Sequence, residues 1–190
     1  MRRTASLLTT IALLAGCGDN PIATETTASL QPQGVTANRG SEDAVQKDLA
    51  ALRRVTAPFH QFDKAVAAGW SAQITGCMAD PTAGGMGFHY GNPTLIDGNA
   101  RVEEPELLLY EPQKNGTMRL VAVEYIVPLS AWTSTEPPRL FGRDFHVNAA
   151  FGIWALHVWV WEENPSGLYA DWNPRVNCEH ALAGSVMSHH

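Results

Sequence analysis

The chain has 190 residues, 45% hydrophobic and 17% charged, with 16 Gly, 12 Pro and 6 Trp, a composition that excludes wholesale disorder and coiled coil. Its 19 acidic and 13 basic residues give a formal charge of −6. No run of Lys or Arg makes a phosphate-tracking stripe, so nucleic acid is not expected as a partner. The length suits one globular domain.

Residues 1–17, MRRTASLLTTIALLAGC, carry two arginines, an uncharged stretch and small residues before a cysteine. This is the architecture of an export signal, and its apolar segment is far shorter than the roughly 20 residues of a permanent membrane helix. Residues 1–16 are therefore expected to be removed. Leu14-Ala15-Gly16-Cys17 also resembles the bacterial lipobox, in which signal peptidase II cuts before the cysteine and the thiol receives a diacylglycerol. The resemblance implies an envelope lipoprotein, tethered through acyl chains such as palmitate rather than spanning the membrane. Gly18 stands where Asp favours inner-membrane retention in enterobacterial lipoproteins. The resemblance thus leans towards the outer membrane, with the outer face of the cytoplasmic membrane as the other address.

With Cys17 committed to lipid, Cys77 and Cys178 remain as a pair in an oxidising compartment, and a disulfide is expected between them. Neither lies in a C-x-x-C, so a thiolate metal site is disfavoured. Residues 17–40 are rich in Thr, Ala, Pro, Gly and Gln without periodicity and read as a flexible tether. The globular domain is expected over 41–190.

Val45, Leu49, Leu52, Val55, Phe59, Phe62, Val66 and Trp70 recur at spacings of three and four, which predicts a helical arm with one apolar face. Ser41 suits an N-cap and Gly69 a terminus, while Pro58 predicts a kink or two helices joined near Ala57. Strands are expected at 86–91, 106–111, 118–127 and 151–161, with a weaker one at 168–172. Asn115-Gly116 predicts a hairpin turn between the second and third strands, and 164–167 predicts another turn. The fold class is α+β: an N-terminal helical arm packed on a mostly antiparallel twisted sheet or partly closed barrel.

Three ionisable residues stand alone in apolar strands: His89 in GMGFHYG, Glu124 in LVAVEYIV and His157 in FGIWALHVWVW. Each is costly to bury without a partner, so neighbouring strands would solve the problem by pairing them with each other. Two imidazoles and a carboxylate form the ligand set of many mononuclear sites for Zn, Fe, Mn or Cu, with His146 as a possible further ligand. Without metal the same groups suit a general acid and base pair. The plain structural alternative is a buried hydrogen-bond network, or Glu124 paired with Arg101, Arg119, Arg139 or Arg143. His60 reads as a surface or helix-end residue. Gly84-Gly85-Met86-Gly87 lacks the continuation of a phosphate loop and reads as a turn, and no G-x-S-x-G, H-E-x-x-H or cupin pattern occurs.

Five tryptophans, Trp132, Trp154, Trp159, Trp161 and Trp172, fall near the C-terminus. The preferred reading of these tryptophans is two-sided core packing; in the sharper one, Trp159 and Trp161 share the face of His157 in a strand through 161 and line, with Tyr90, a pocket for a small molecule or glycan. The runs GGMGFHYGNP, PELLLYEP, LVAVEYIVP and LHVWVWEENPSGLYADWNPRVNC are similar to an uncharacterised group of secreted bacterial proteins. That resemblance implies one folded unit containing His89, Glu124 and His157, and implies no mechanism. The expected function is a lipid-anchored envelope protein binding a metal ion or small ligand in a sheet pocket. The rivals are a metal-dependent envelope enzyme using the same residues, and a structural or adhesion module.

Overall fold

A computed structural model describes residues 33–188. The expected signal peptide 1–16 and the expected lipidation site Cys17 lie outside the described residues. Helix α1 spans Gln33–Thr56, so the helix starts upstream of Ser41, which lies inside it, and the last part of the proposed tether is helical. A 3-10 turn follows over Ala57–His60, with Pro58 in its first turn, and then α2 over Phe62–Ala67. The missing N–H and fixed φ of Pro58 break the α ladder where the sequence indicates. Helix α2 closes in a Schellman motif: Trp70 N–H donates to the Ala65 carbonyl at 3.0 Å and Gly69 N–H to that of Val66 at 3.1 Å, with Gly69 at φ +112°. Only glycine adopts this left-handed position without strain.

Ten strands follow: β1 (Ala72–Gln73), β2 (Cys77–Asp80), β3 (Gly84–Gly91), β4 (Leu107–Pro112), β5 (Met118–Pro128), β6 (Arg139–Leu140), β7 (Arg143–Asp144), β8 (His146–Asn148), β9 (Ile153–Val158) and β10 (Val186–Ser188). Eight of them form one sheet in the order β10-β2-β3-β4-β5-β9-β8, with β1 also on β3; β6 and β7 make a separate hairpin. Every pairing is antiparallel except β10 on β2. The sheet is strongly curled into a half-barrel, and the fold is α+β.

The strands expected at 86–91, 106–111 and 118–127 are present, and the hairpin between β4 and β5 closes through Asn115-Gly116, with Gln113 N–H bonded to Thr117 O at 2.8 Å. Three expectations fail. Residues 84–87 begin β3 rather than forming a turn. Residues 168–172 form no strand, and β9 ends at Val158 instead of continuing through Trp161, because the chain bends there: Val160 N–H bonds back to Val158 O. The short strands β1, β2, β8 and β10 carry too few residues for a period-2 pattern to stand out.

Both faces of the central strands are covered, which is why β5 reads as an almost unbroken apolar run. Leu49 and Leu52 of α1 pack with Leu108, Tyr110, Val123, Tyr125, Leu156 and Val158 on one face. Leu107, Leu109, Ala122 and Ile126 cluster with Trp159 and Val176 on the other. Cys77 and Cys178 are joined by a disulfide, with Cα atoms 5.8 Å apart, and this fixes the C-terminal segment against β2. A bulge between Met78 and Ala79 displaces the β2–β3 register opposite Gly87. Gly87 sits at φ +86°, where a Cβ would meet the Tyr110 carbonyl oxygen at 2.4 Å.

Two outcomes are expected. Peptide mapping should find Cys77 linked to Cys178, and reduction should lower the melting temperature; the chain-entropy value for a loop of about 100 residues, roughly 4.7 kcal/mol, is the upper limit of the loss. Gly87→Ala should destabilise the fold by about 2 kcal/mol or more, read from urea unfolding, because it combines a strained φ with a backbone clash.

Candidate metal centre

His89, Glu124 and His157 project from β3, β5 and β9. On β5, Glu124 is opposite Leu107 of β4 on one side and opposite His157 on the other. His89 is opposite Leu109, so β4 separates it from Glu124. In a flat sheet, strands two apart lie about 9.5 Å from each other. On the concave side the side-chain ends converge instead: His89 Nε2 is 3.5 Å and His157 Nε2 3.8 Å from the same Glu124 Oε2. One ligand atom from each residue lies within 4.8 Å of the others. Metal–ligand bonds of about 2.0–2.2 Å place tetrahedral ligands about 3.4 Å apart, so the three atoms need move little to share one ion.

All three residues are buried, at 4–5% exposure. The Nδ1 atoms are engaged from behind. His89 Nδ1 is 2.8 Å from Thr75 Oγ1, and His157 Nδ1 is 3.2 Å from Asp171 Oδ1. With Nδ1–H donating to these oxygens, each Nε2 offers its lone pair to the cluster, the arrangement by which outer partners orient histidine ligands. His157 Nε2 has no hydrogen-bond partner although it is fully buried. None of the four arginines considered for Glu124 reaches it: Arg101 pairs with Asp97 and Glu104, Arg119 with Glu111 and Glu162, Arg139 with Asp144, and Arg143 lies over the Tyr169 ring.

The electrostatics follow from burial. Desolvation, reinforced by the charge of His157, pushes His89 down to about 3, so it is neutral at physiological pH. Desolvation would lower His157 too, but the carboxylates of Glu124 and Asp171 outweigh it and raise its pKa. Burial raises Glu124, against the pull of His157. Burial thus keeps a proton off His89 while the neighbouring carboxylates favour one on His157, and an incoming cation competes with that proton.

The cluster forms the floor of a pocket of about 320 Å3 whose lining includes Ile74, Met86, Ile126, His146, Asp171 and Trp172. His146 does not join the three ligands. Its side chain is 47% exposed, and its Nε2 lies 3.6 Å from Asp171 Oδ2. The pocket expected from Trp159, Trp161 and Tyr90 is not built from them. Trp159 is buried in the core and donates to the Ala170 carbonyl at 2.6 Å. Trp161, beyond the end of β9, donates to Thr56 Oγ1 at 3.1 Å and packs edge-on against His60 at 4.3 Å. Tyr90 alternates with His89 along β3 and packs on Phe62 and Tyr110. His60 is exposed at the helix end, as expected.

Sequence reasoning passed over Thr75, Asp171 and Trp172. Asp171 stands in Tyr169-Ala170-Asp171-Trp172, an acid beside an aromatic after the apolar strand, which is the available signal for a histidine's partner. No family model matches the chain, and neither does any curated protein or solved structure.

The pH dependence of the metal-free protein has a definite sign. The folded value of His89 lies below its unfolded 6.5, so the unfolded chain binds a proton that the fold refuses. That part of the stability is complete above about pH 6.5 and drains as pH falls towards 3. His89→Gln should flatten this acid limb in urea titrations of chelated protein; an unchanged slope would remove His89 as its source. His157 acts oppositely, its contribution being lost as pH rises through its elevated value.

Proposed function

We propose that this chain is a lipid-anchored cell-envelope protein that holds one divalent transition-metal ion on His89 Nε2, Glu124 Oε2 and His157 Nε2. The observation that carries the metal reading is the buried, unpartnered Nε2 of His157, 3.8 Å from the Glu124 carboxylate. A network that merely satisfied the core would not leave that nitrogen without a partner. Two imidazoles and a carboxylate suit Zn2+ or Fe2+ and are a poor match for Ca2+ or Mg2+, which prefer all-oxygen shells.

The envelope address is supported by the lipobox pattern at 14–17 and by the Cys77–Cys178 disulfide, a bond that persists in oxidising compartments. No described helix is long and apolar enough to cross a membrane. A second reading has its own support. Three protein ligands at the floor of a pocket leave a coordination position open, as in catalytic rather than structural zinc sites, so a metal-dependent reaction on an envelope molecule fits the same geometry.

Zn2+ should bind at one ion per chain in equilibrium dialysis and raise the melting temperature, and both effects should weaken as pH falls because protons compete for His157. Glu124→Gln and His157→Gln should each cut affinity at least about tenfold. A melting temperature indifferent to chelator and to added Zn2+ and Fe2+ would overturn the metal reading. Cys17→Ser should abolish palmitate labelling and release the protein from membranes; labelling that persists would refute the anchor.

A further inference from the structure

We infer that the pocket takes a medium-chain monocarboxylate, an apolar molecule with a single oxygen-anion head, bound head-down at the open position of the metal. This rests on the metal reading above and adds the ligand class. Three properties of the pocket carry it: its walls, its charge and its size.

The walls are apolar. Ile74, Met78, Met86, Leu107, Ile126 and Ile153 line them, and the ionisable groups are confined to the cluster at the floor and to the His146–Asp171 pair. Phe151 and Ile74 belong to the same lining and are 52% and 44% exposed. Large apolar side chains left in water around a pocket mark a surface that an apolar ligand completes.

The polar inventory excludes other ligands. Thr75 is engaged with His89, and Asp171 with His157 and His146; the one amide side chain of the lining, Asn148, is too little to match the several hydroxyls of a sugar. Among the described residues, no Lys or Arg lines the pocket. A phosphate or a dicarboxylate would therefore bring charge that nothing there offsets. A divalent ion with one ligated carboxylate retains one positive charge at its open position, which a single carboxylate neutralises. Asp171 holds its charge at His157 Nδ1, on the side of the ring away from the ligating Nε2, so it leaves the open position free for the ligand's carboxylate.

The size sets the chain length. About 320 Å3 lies at the low end of small-ligand pockets and holds about ten groups of the volume of a water molecule. Octanoate, with about ten heavy atoms, matches it.

The test uses the full-length protein loaded with Co2+, whose visible absorption reports its coordination. Metal content is measured first, at one ion per chain. Octanoate should then shift the spectrum and bind at least 100-fold more tightly than acetate, since each buried methylene adds severalfold, while octylamine and gluconate should leave the spectrum unchanged. Phe151→Asp should weaken octanoate at least tenfold with Co2+ content unaltered. If Co2+ binds but octanoate and acetate are equivalent, or octanoate binds equally well to chelated protein, the ligand inference fails and the metal reading stands. If Co2+ does not bind, the metal reading itself falls, and the inference with it.

Discussion

A carboxylate in the middle of a sheet covered on both faces is the constraint on which the remaining structure depends. Glu124 is 5% exposed and none of the candidate arginines reaches it; among the described residues the imidazoles of His89 and His157 are the basic groups within 4 Å of its carboxylate. Burying an ion costs several kcal/mol unless compensation is close and well aligned. The curl of the sheet provides the closeness, since it brings ends from β3, β5 and β9 together across the intervening β4. Thr75 and Asp171 provide the alignment by engaging both Nδ1 atoms. The helical layer covers the opposite face through Leu49 and Leu52.

The compensation in the metal-free state is incomplete. His157 Nε2 lacks a hydrogen bond, and burial, reinforced by the charge of His157, keeps a proton off His89. A divalent cation gives each Nε2 and the carboxylate a direct partner, in competition with a proton on His157. Stability and metal affinity are in this sense one property of the cluster. A separate buried carboxylate, Glu106, shows the contrasting solution. It accepts the Ile126 N–H at 3.1 Å, and burial pushes its pKa up to about 8, so it stays neutral instead of gathering counter-charges.

Much of this was legible in the sequence, because an isolated ionisable residue in an apolar strand demands a partner. That demand singled out His89, Glu124 and His157 together, and leftover-cysteine arithmetic singled out Cys77 with Cys178. Short β-prone runs punctuated by Gly and Pro located β3, β4 and β5, and Pro58 located the break in the helical arm. What failed depended on tertiary geometry. Extending β9 through Trp161 assigned Trp159 and Trp161 to a pocket beside His157, whereas Trp159 is buried in the core cluster with Leu107, Ala122 and Ile126 and the bend after Val158 turns Trp161 onto Thr56 and His60. Asp171 comes from a loop and Thr75 from beside a two-residue strand, and neither carries a periodic signal. Trp172 lines the pocket where Trp159 and Trp161 do not, because the chain folds back over the sheet after its last long strand.

The central claim is that three side chains share one ion, and anomalous diffraction from crystals grown with Zn2+, collected on both sides of the zinc edge, tests it most directly. The account predicts one strong peak about 2.0–2.2 Å from His89 Nε2, His157 Nε2 and a Glu124 oxygen, with His146 outside bonding distance. No peak at that position in crystals that hold zinc elsewhere, with a water bridging the two Nε2 atoms and Glu124, would contradict it.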